Sequence, residues 1–326
     1  MVVYLYSMFL KDQLIIFAGN YKHMNKIPLI TIAICTYNRA GYLRDTLADL
    51  KVQSADPGEF EILVVNNNSR DHTAEVCSDF SKRSSGLSFR WVSETKQGLS
   101  FARNRAVRES ASDTVLFIDD DVHLPEMFVE TALNNLRKYP DAQCSGGRIF
   151  VSFDSDETGW IPKELMPMFG LHDLGDNDRI YPSANFPRGG NMLIKKTVFE
   201  MYGEFHTGLG RMGSDLLGSE EKEFFERIRK EGVVLHYWSD MQLWHRIGSD
   251  RLKEPYLKNQ SIGIGRSERI KTIGSQGRRA IKIAGEFVKL AGSVVLAVGY
   301  LISGKVRAAG FLLKFRIWVL KGFLAG

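Results

Sequence analysis

From Ile30 onward the chain alternates between short apolar runs rich in β-branched residues and segments whose apolar residues recur at helical spacing. LITIAICTYN, EILVVNNNS, FRWVSE and TVLFIDDD read as four strands. Between them, Leu43, Leu47 and Leu50 mark one helix. A second is predicted from Asp71 to about Ser81 with Ser69 as its cap, a third over 99–110, and a fourth from Pro125 through Lys138. Strand–helix alternation with short links specifies a mostly parallel sheet covered by helices on both faces. In such a sheet, ligands bind beyond the carboxyl ends of the strands. The first, second and fourth strands end in Thr36-Tyr37-Asn38-Arg39, Asn66-Asn67-Asn68-Ser69 and Asp119-Asp120-Asp121, so these tips are expected to share one rim.

After Phe150 the alternation stops. Residues 152–187 are rich in Asp, Gly and Pro and read as a long loop or lid. Order returns at GGNMLIKK, followed by a helix over Glu220–Lys230 with Ser219 as its cap, then by two strand runs, VVLHYW and QLWHRI. The first 25 residues fit this pattern poorly. Met24 opens the regular part, so they are either extra sequence ahead of the physiological start or a short peripheral anchor. The expected organisation is a leader at 1–25, a folded α/β domain at 26–270 and a tail at 271–326. With 44% hydrophobic and 25% charged residues over 326 positions, a disordered chain is excluded. Cys35, Cys77 and Cys144 cannot all be paired and show no C-x-x-C spacing, so they are expected to be reduced core residues of a cytosolic protein.

The net charge of +5 is unevenly placed. Residues 278–326 hold nine basic side chains against one acid, Glu286, so the tail carries +8 and the other 277 residues carry −3. A basic, apolar tail on a slightly acidic body is not the footprint of a nucleic-acid domain and points to an anionic membrane surface. Fifteen uncharged residues separate Lys289 from Lys305. As a helix they rise ~22 Å, short of the ~30 Å hydrocarbon core. The following apolar block is broken by Lys314, Arg316 and Lys321, a pattern that suits a helix lying in the interface with snorkelling lysines. The tail is expected to attach peripherally to the cytoplasmic leaflet or as a re-entrant hairpin; the competing reading packs it on the protein itself or on a second copy.

Three consecutive aspartates at the end of a buried strand are the strongest chemical signal. Alternation puts Asp119 and Asp121 on one side, where two carboxylates repel unless a divalent cation joins them. Hard oxygen ligands suit Mg²⁺ or Mn²⁺. The bland alternative, acids decorating a helix start, does not need three in a row. Gly208-Leu-Gly210-Arg-Met-Gly213 matches a dinucleotide fingerprint by letter, but no strand enters it. Gly299–Lys305 lacks the Ser/Thr that a phosphate loop requires, Val306 standing in its place.

Taken together, ITIAICTYNRAGYL, EILVVNNNSRDHT, GLSFARNRAV, VLFIDDDV, RGGNMLIKKTVFE and GSEEKEFFERIRKEG resemble, in order, the inverting family-2 glycosyltransferases with the GT-A fold, over about Ile30–Ser267. The resemblance implies a nucleotide-sugar donor held at Thr36, Asn38 and Arg39, with Asn67 and Ser69 opposite and Asp119 and Asp120 beside the nucleotide. Asn66 departs from the family's usual Asp. Arg103, in the A-R-N stretch, is implied to face the diphosphate. Asp119 and Asp121 would hold the metal, with His245 completing the site. Glu221 matches the position of the family's catalytic base and Glu220 precedes it, although Glu replaces the usual Asp and both acids also suit a helix first turn. Arg188, Gly189, Gly190 and Asn191, with the lid, would shape the acceptor site. A membrane-associated member implies a lipid-linked or polysaccharide acceptor in envelope or exopolysaccharide assembly. The alternatives are a nucleotidyltransferase or pyrophosphorylase, disfavoured by the lack of a glycine-rich loop after the first strand, and a non-catalytic binding subunit.

Overall fold

Apolar strands β1 (Ile30–Thr36), β2 (Phe60–Asn66) and β4 (Thr114–Ile118) are almost wholly buried, and β1 lies parallel to both of the others. β3 (Ser88–Ser93) is the parallel edge beyond β2. Helices α1 (Ala40–Lys51), α2 (Thr73–Arg83) and α3 (Leu99–Glu109) make the crossovers. Short β5 (Val122–His123) and α4 (Phe128–Lys138) follow the aspartates. The computed structural model describes residues 27–210, 220–270, 272 and 274–325. The expected leader, the Met24 start, the Ser219 cap and the Arg211–Gly213 half of the glycine motif lie outside them.

The second half of the sheet is mixed rather than parallel. β6 (Cys144–Phe153), β7 (Arg179–Ile180), β8 (Asn191–Lys195) and β9 (Leu235–Ile247) extend it in the order β3-β2-β1-β4-β8-β6-β9-β5, with β7 on β9. β8 runs antiparallel to β4 and β6, whereas β6 and β9 are parallel. The pattern of the sequence did not reveal β6, and the two runs at VVLHYW and QLWHRI are one continuous strand with a register shift opposite Gly147/Arg148. Helices α5 (Lys196–Tyr202) and α6 (Glu220–Lys230) cover this half through Phe199, Phe224, Phe225 and Ile228. All three cysteines are free, and Cys77 and Cys144 are buried.

The expected cap at Ser69 is supplied instead by Asp71. Its Oδ1 accepts from the Thr73 amide and its Oδ2 from the Ala40 amide, so one carboxylate starts both α2 and α1. The 152–187 segment is packed rather than loose. A 3-10 turn, Lys163–Phe169, buries Leu165 and Phe169.

Beyond β9, α7 (Glu254–Ile270) leads to α8 (Gln276–Ile302) and α9 (Val306–Ala325). Gly299–Lys305 is simply the end of α8, where Gly304 at φ 72° turns the chain into α9. α9 does not lie on the surface as expected. Phe311, Leu312, Phe315 and Val319 are buried with Leu165, Phe169, Ile247 and Leu257. Lys314 pairs with Glu254 at 2.8 Å, and Arg316 donates to the Ser293 hydroxyl at 3.1 Å. No helix among the described residues is long and apolar enough to cross a membrane.

α7 and α9 touch backbone to backbone. A Cβ on Gly265 would sit 2.0 Å from the Val319 carbonyl oxygen, and one on Gly322 2.2 Å from that of Ile262. Gly265→Ala is therefore expected to lower stability by about 1–3 kcal/mol through forced separation of the helices. Gly310→Ala, which meets nothing within 4 Å, should be neutral or stabilising by up to about 1 kcal/mol. Urea midpoints of the two variants check the contrast; no loss in Gly265→Ala would mean that the crossing tolerates a methyl group.

Candidate active site

The rim expected from the three strand tips is present. Asn38 and Asn68 hold left-handed backbones (φ 53° and 63°), a conformation that Asn tolerates better than most residues. The Asn38 amide donates to the Ser69 hydroxyl at 3.0 Å, while Asn38 Oδ1 accepts from the Arg70 amide at 2.7 Å. The two tips are thereby laced together. Asn66, where an acid was anticipated, uses its carbonyl to receive the Ser69 amide at 3.0 Å.

The acidic tip is fixed from beneath. The Thr46 hydroxyl of α1 donates to the carbonyl oxygens of Asp120 and Val122, each at 2.9 Å. β5 then pairs with β9 so that Val122 stands opposite His245, and the Arg246 amide donates to the Asp121 carbonyl at 2.8 Å. This pairing brings His245 to the aspartates across more than a hundred residues of sequence. One donor atom each of Asp119, Asp121 and His245 lie within 4.8 Å of one another. The Nδ1–H of His245 donates to the Phe169 carbonyl at 2.7 Å, which turns Nε2 towards Asp121 Oδ1, 3.3 Å away. Two carboxylates and an imidazole oriented in this way fit a divalent cation.

Two arginines share the cluster. Arg39 pairs with Asp120 at 3.2 Å and with Asp121, and Arg251 donates to Asp121 Oδ2 at 2.8 Å. Burial alone would raise Asp121, but His245 and Arg39 hold its carboxyl well below the usual carboxylate range. Burial pushes Asp120 up to about 7, Arg39 only partly offsetting it. His245 is depressed by burial yet lifted to about 9 by Asp121. Arg251 was not singled out from the sequence; its only signal there is its place six residues after His245, in the 3-10 turn Ser249–Leu252 that follows β9.

Several expected ligands have other occupations. Asn67, 4% exposed, spends its amide on the chain: Nδ2 donates to the Glu94 and Lys96 carbonyls, and Oδ1 accepts from the Gly98 amide that starts α3. It shapes the loop behind the rim. Asn191 is fully buried and donates to the Arg148 and Met241 carbonyls, so it splints β8 against β6 and β9 and is withdrawn from the acceptor side. Thr36 is buried at the end of β1.

Arg103 is neither solvated nor aimed at the rim. It is 3% exposed, with Nη1 on Glu220 and Nη2 on Glu221, each at 2.9 Å. Burial opposes its charge, but Glu221 and Glu220 outweigh that and raise it further above the ordinary arginine value. Glu220 is buried, whereas the Glu221 side chain is one-fifth exposed. Gly189 and Gly190 pass directly over this clamp. A Cβ on Gly189 would lie 1.9 Å from Arg103 Nη2 and 2.1 Å from Glu221 Oε1; one on Gly190 would lie 2.7 Å from Asp119 Oδ2. Only glycine permits that approach. Arg188 stacks on Phe186 at 4.3 Å.

A cavity of about 560 Å³ joins these parts: Asp119, Arg103, Glu220, Glu221, His245, Arg251 and Arg188–Gly190 line it together with Met168, Phe169, Tyr256 and Ile264. The tips of β1 and β2 lie outside it.

The model of "Glycosyl transferase family 2" matches residues 31–203. Glucosyl-dolichyl phosphate glucuronosyltransferase of Haloferax volcanii is 22% identical over 244 residues, 74% of this chain and 76% of the relative. Glycosyltransferase GlyA of Streptococcus pneumoniae is 29% identical over 158 residues, 48% of this chain but only 20% of that protein's length. Among solved structures, the mannosyltransferase PcManGT from Pyrobaculum calidifontis, in complex with GDP-Man and Mn²⁺, superposes with a TM-score of 0.60 at 15% identity, covering 97% of this chain and 96% of that one. At that identity the likeness establishes a shared fold.

Replacing Arg103 by Met removes the cation shared by two carboxylates. A loss of about 3–5 kcal/mol in denaturant stability is expected, with Arg103→Lys recovering part of it. A midpoint unchanged in Arg103→Met would show that the clamp contributes nothing to folding.

Proposed function

The chain belongs to glycosyl transferase family 2, and from that premise we propose how its site works. It is a glycosyltransferase that uses a nucleotide-sugar donor in glycan assembly, and family membership leaves no ground for the nucleotidyltransferase alternative. The observation that carries the catalytic proposal is that Glu221 lines the same cavity as Asp119 and His245 while remaining partly exposed to it.

In the proposed reaction, an acceptor hydroxyl attacks the anomeric carbon from the face opposite the nucleoside diphosphate, so configuration inverts. The acceptor oxygen–carbon bond forms, the carbon–oxygen bond to the diphosphate breaks, and the acceptor proton passes to the Glu221 carboxylate. Arg103 holds that carboxylate in place. Gly189 and Gly190 keep the approach to Glu221 open, with Arg188 contacting the acceptor. Thr36, Asn38 and Ser69 receive the nucleotide at the laced tips. Asp120, buried under Arg39, orients that guanidinium, and Arg39 and Arg251 face the negative charge that develops on the leaving diphosphate. A divalent cation held by Asp119, Asp121 and His245 supplies Lewis-acid neutralisation of the same charge when bound. The imidazole in the donor set favours Mn²⁺ over Mg²⁺.

A lipid-linked acceptor is supported over a free polysaccharide by the apolar side chains Met168, Phe169 and Ile264 in the cavity lining and by the lipid phosphate in the name of the Haloferax relative. With it goes peripheral attachment of the protein to the cytoplasmic face of an anionic membrane.

Glu221→Gln keeps shape but cannot accept a proton, so kcat with donor saturating is expected to fall ~10²–10⁴-fold while donor binding persists. Glu220→Gln should cost much less. Near-normal turnover in Glu221→Gln would remove the base assignment. Asp121→Ala is expected to abolish Mn²⁺-dependent binding of nucleoside diphosphates, read by calorimetry; unchanged metal dependence would place the cation elsewhere.

A further inference from the structure

The two tail helices have opposite situations. α9 is spent on α7, whereas α8 turns only one side, at Glu286, Ser293 and Ala297, towards the protein. Its other side carries Ile281 (75% exposed), Val288 (72%), Val295 (73%) and Ile302 (83%), each seven residues from the last and therefore in line along about 32 Å of helix. Phe287, Val294, Val298 and Leu301 widen the stripe, each about half exposed. So large an apolar face left in water marks a docking surface.

Charge identifies the occupant. Exposed cations bracket the stripe, with Arg278 and Arg279 at one end and Lys305 and Arg307 at the other. The sole acid of the tail, Glu286, is buried and paired with Lys289. A second copy docked on this face, in either direction, would set cations against cations. An anionic bilayer accepts the apolar stripe at its acyl boundary and the basic ends at its headgroups.

We infer that the outward face of α8 is the seat of this protein on an anionic bilayer. This deepens the peripheral attachment proposed above and rests on it. α8 is also tied to two elements that line the cavity: Lys282 pairs with Glu268 of α7, and the Tyr300 hydroxyl donates to Glu164 of the 3-10 turn at 2.7 Å. The seat thus holds those walls at the lipid surface.

The test uses the full chain and the double variant Val288→Glu/Val295→Glu, both changes at exposed positions away from the catalytic cluster. Flotation is measured with vesicles of phosphatidylcholine alone and of phosphatidylcholine mixed with phosphatidylglycerol. Thermal melting and nucleoside-diphosphate binding report on the integrity of the fold and site. The full chain is expected to float with the mixed vesicles, less so at high salt, and the variant to lose at least about tenfold in partitioning with melting and nucleotide binding unchanged. If the variant floats as well as the full chain, attachment stands but the seat is elsewhere. If the full chain does not float, attachment itself fails and the seat with it. A dimer in sedimentation that the double variant dissolves, without vesicle binding by either, assigns the stripe to a second copy and overturns the inference.

Discussion

Burying carboxylates at the end of β4 is the demand that the rest of this structure answers. Asp120 and Asp121 are 5% and 2% exposed, and burial to that degree opposes their ionisation unless cations are brought in. They arrive from far along the chain: Arg39 from the β1 tip, Arg251 from the turn after β9, and His245 from β9 itself. Much of the topology serves that delivery. β5 exists as two residues paired to β9, and the pairing is what sets His245 beside Asp121.

A second acidic centre repeats the solution on the other side of the cavity. Glu220 and Glu221 open α6, where acids suit the helix dipole, but two of them need more than a dipole. The guanidinium of Arg103 bridges both. The two centres meet across Gly189 and Gly190, whose missing side chains let the strand leading into β8 pass against Arg103, Glu221 and Asp119 at once. Chemistry at this site therefore depends on backbone proximity as much as on charged groups, and a methyl group at either glycine would force Arg103, Glu221 or Asp119 to shift.

The first half of the fold was legible because β1, β2 and β4 are buried on both faces and each crossover is regular, so period and burial coincide. β6 was hidden because its Gly146-Gly147 pair interrupts the apolar pattern; those glycines let Pro187 and the Met241 carbonyl approach closely. The acids, Arg39 and His245 were legible as a rim because charges at strand ends have few structural uses. The backbone bonds of Asn67 and Asn191 were not legible for a converse reason. An amide serves backbone carbonyls and amides as readily as ligands, and residue type alone does not say which. Arg103 falls between: the motif marked it as functional, but its partners are carboxylates contributed by α6, which sequence proximity could not supply.

The tail shows the same limit in apolar form. Two blocks of similar composition stand side by side in the sequence, and periodicity makes both amphipathic. What separates them is the small-residue contact at Gly265 and Gly322, which brings α9 close enough to α7 for Phe311, Phe315 and Val319 to be covered by protein. Once that site is filled, α8 can touch the body only through the narrow side bearing Glu286, Ser293 and Ala297. Its broader apolar side is left outward by geometry, not by weak hydrophobicity. The basic residues then divide: Lys282, Lys289, Lys314 and Arg316 find partners within the protein, while Arg278, Arg279 and Arg307 stay exposed beside the stripe. Packing of the last helix is thus the step that turns a uniformly greasy, basic tail into one covered face and one facing out.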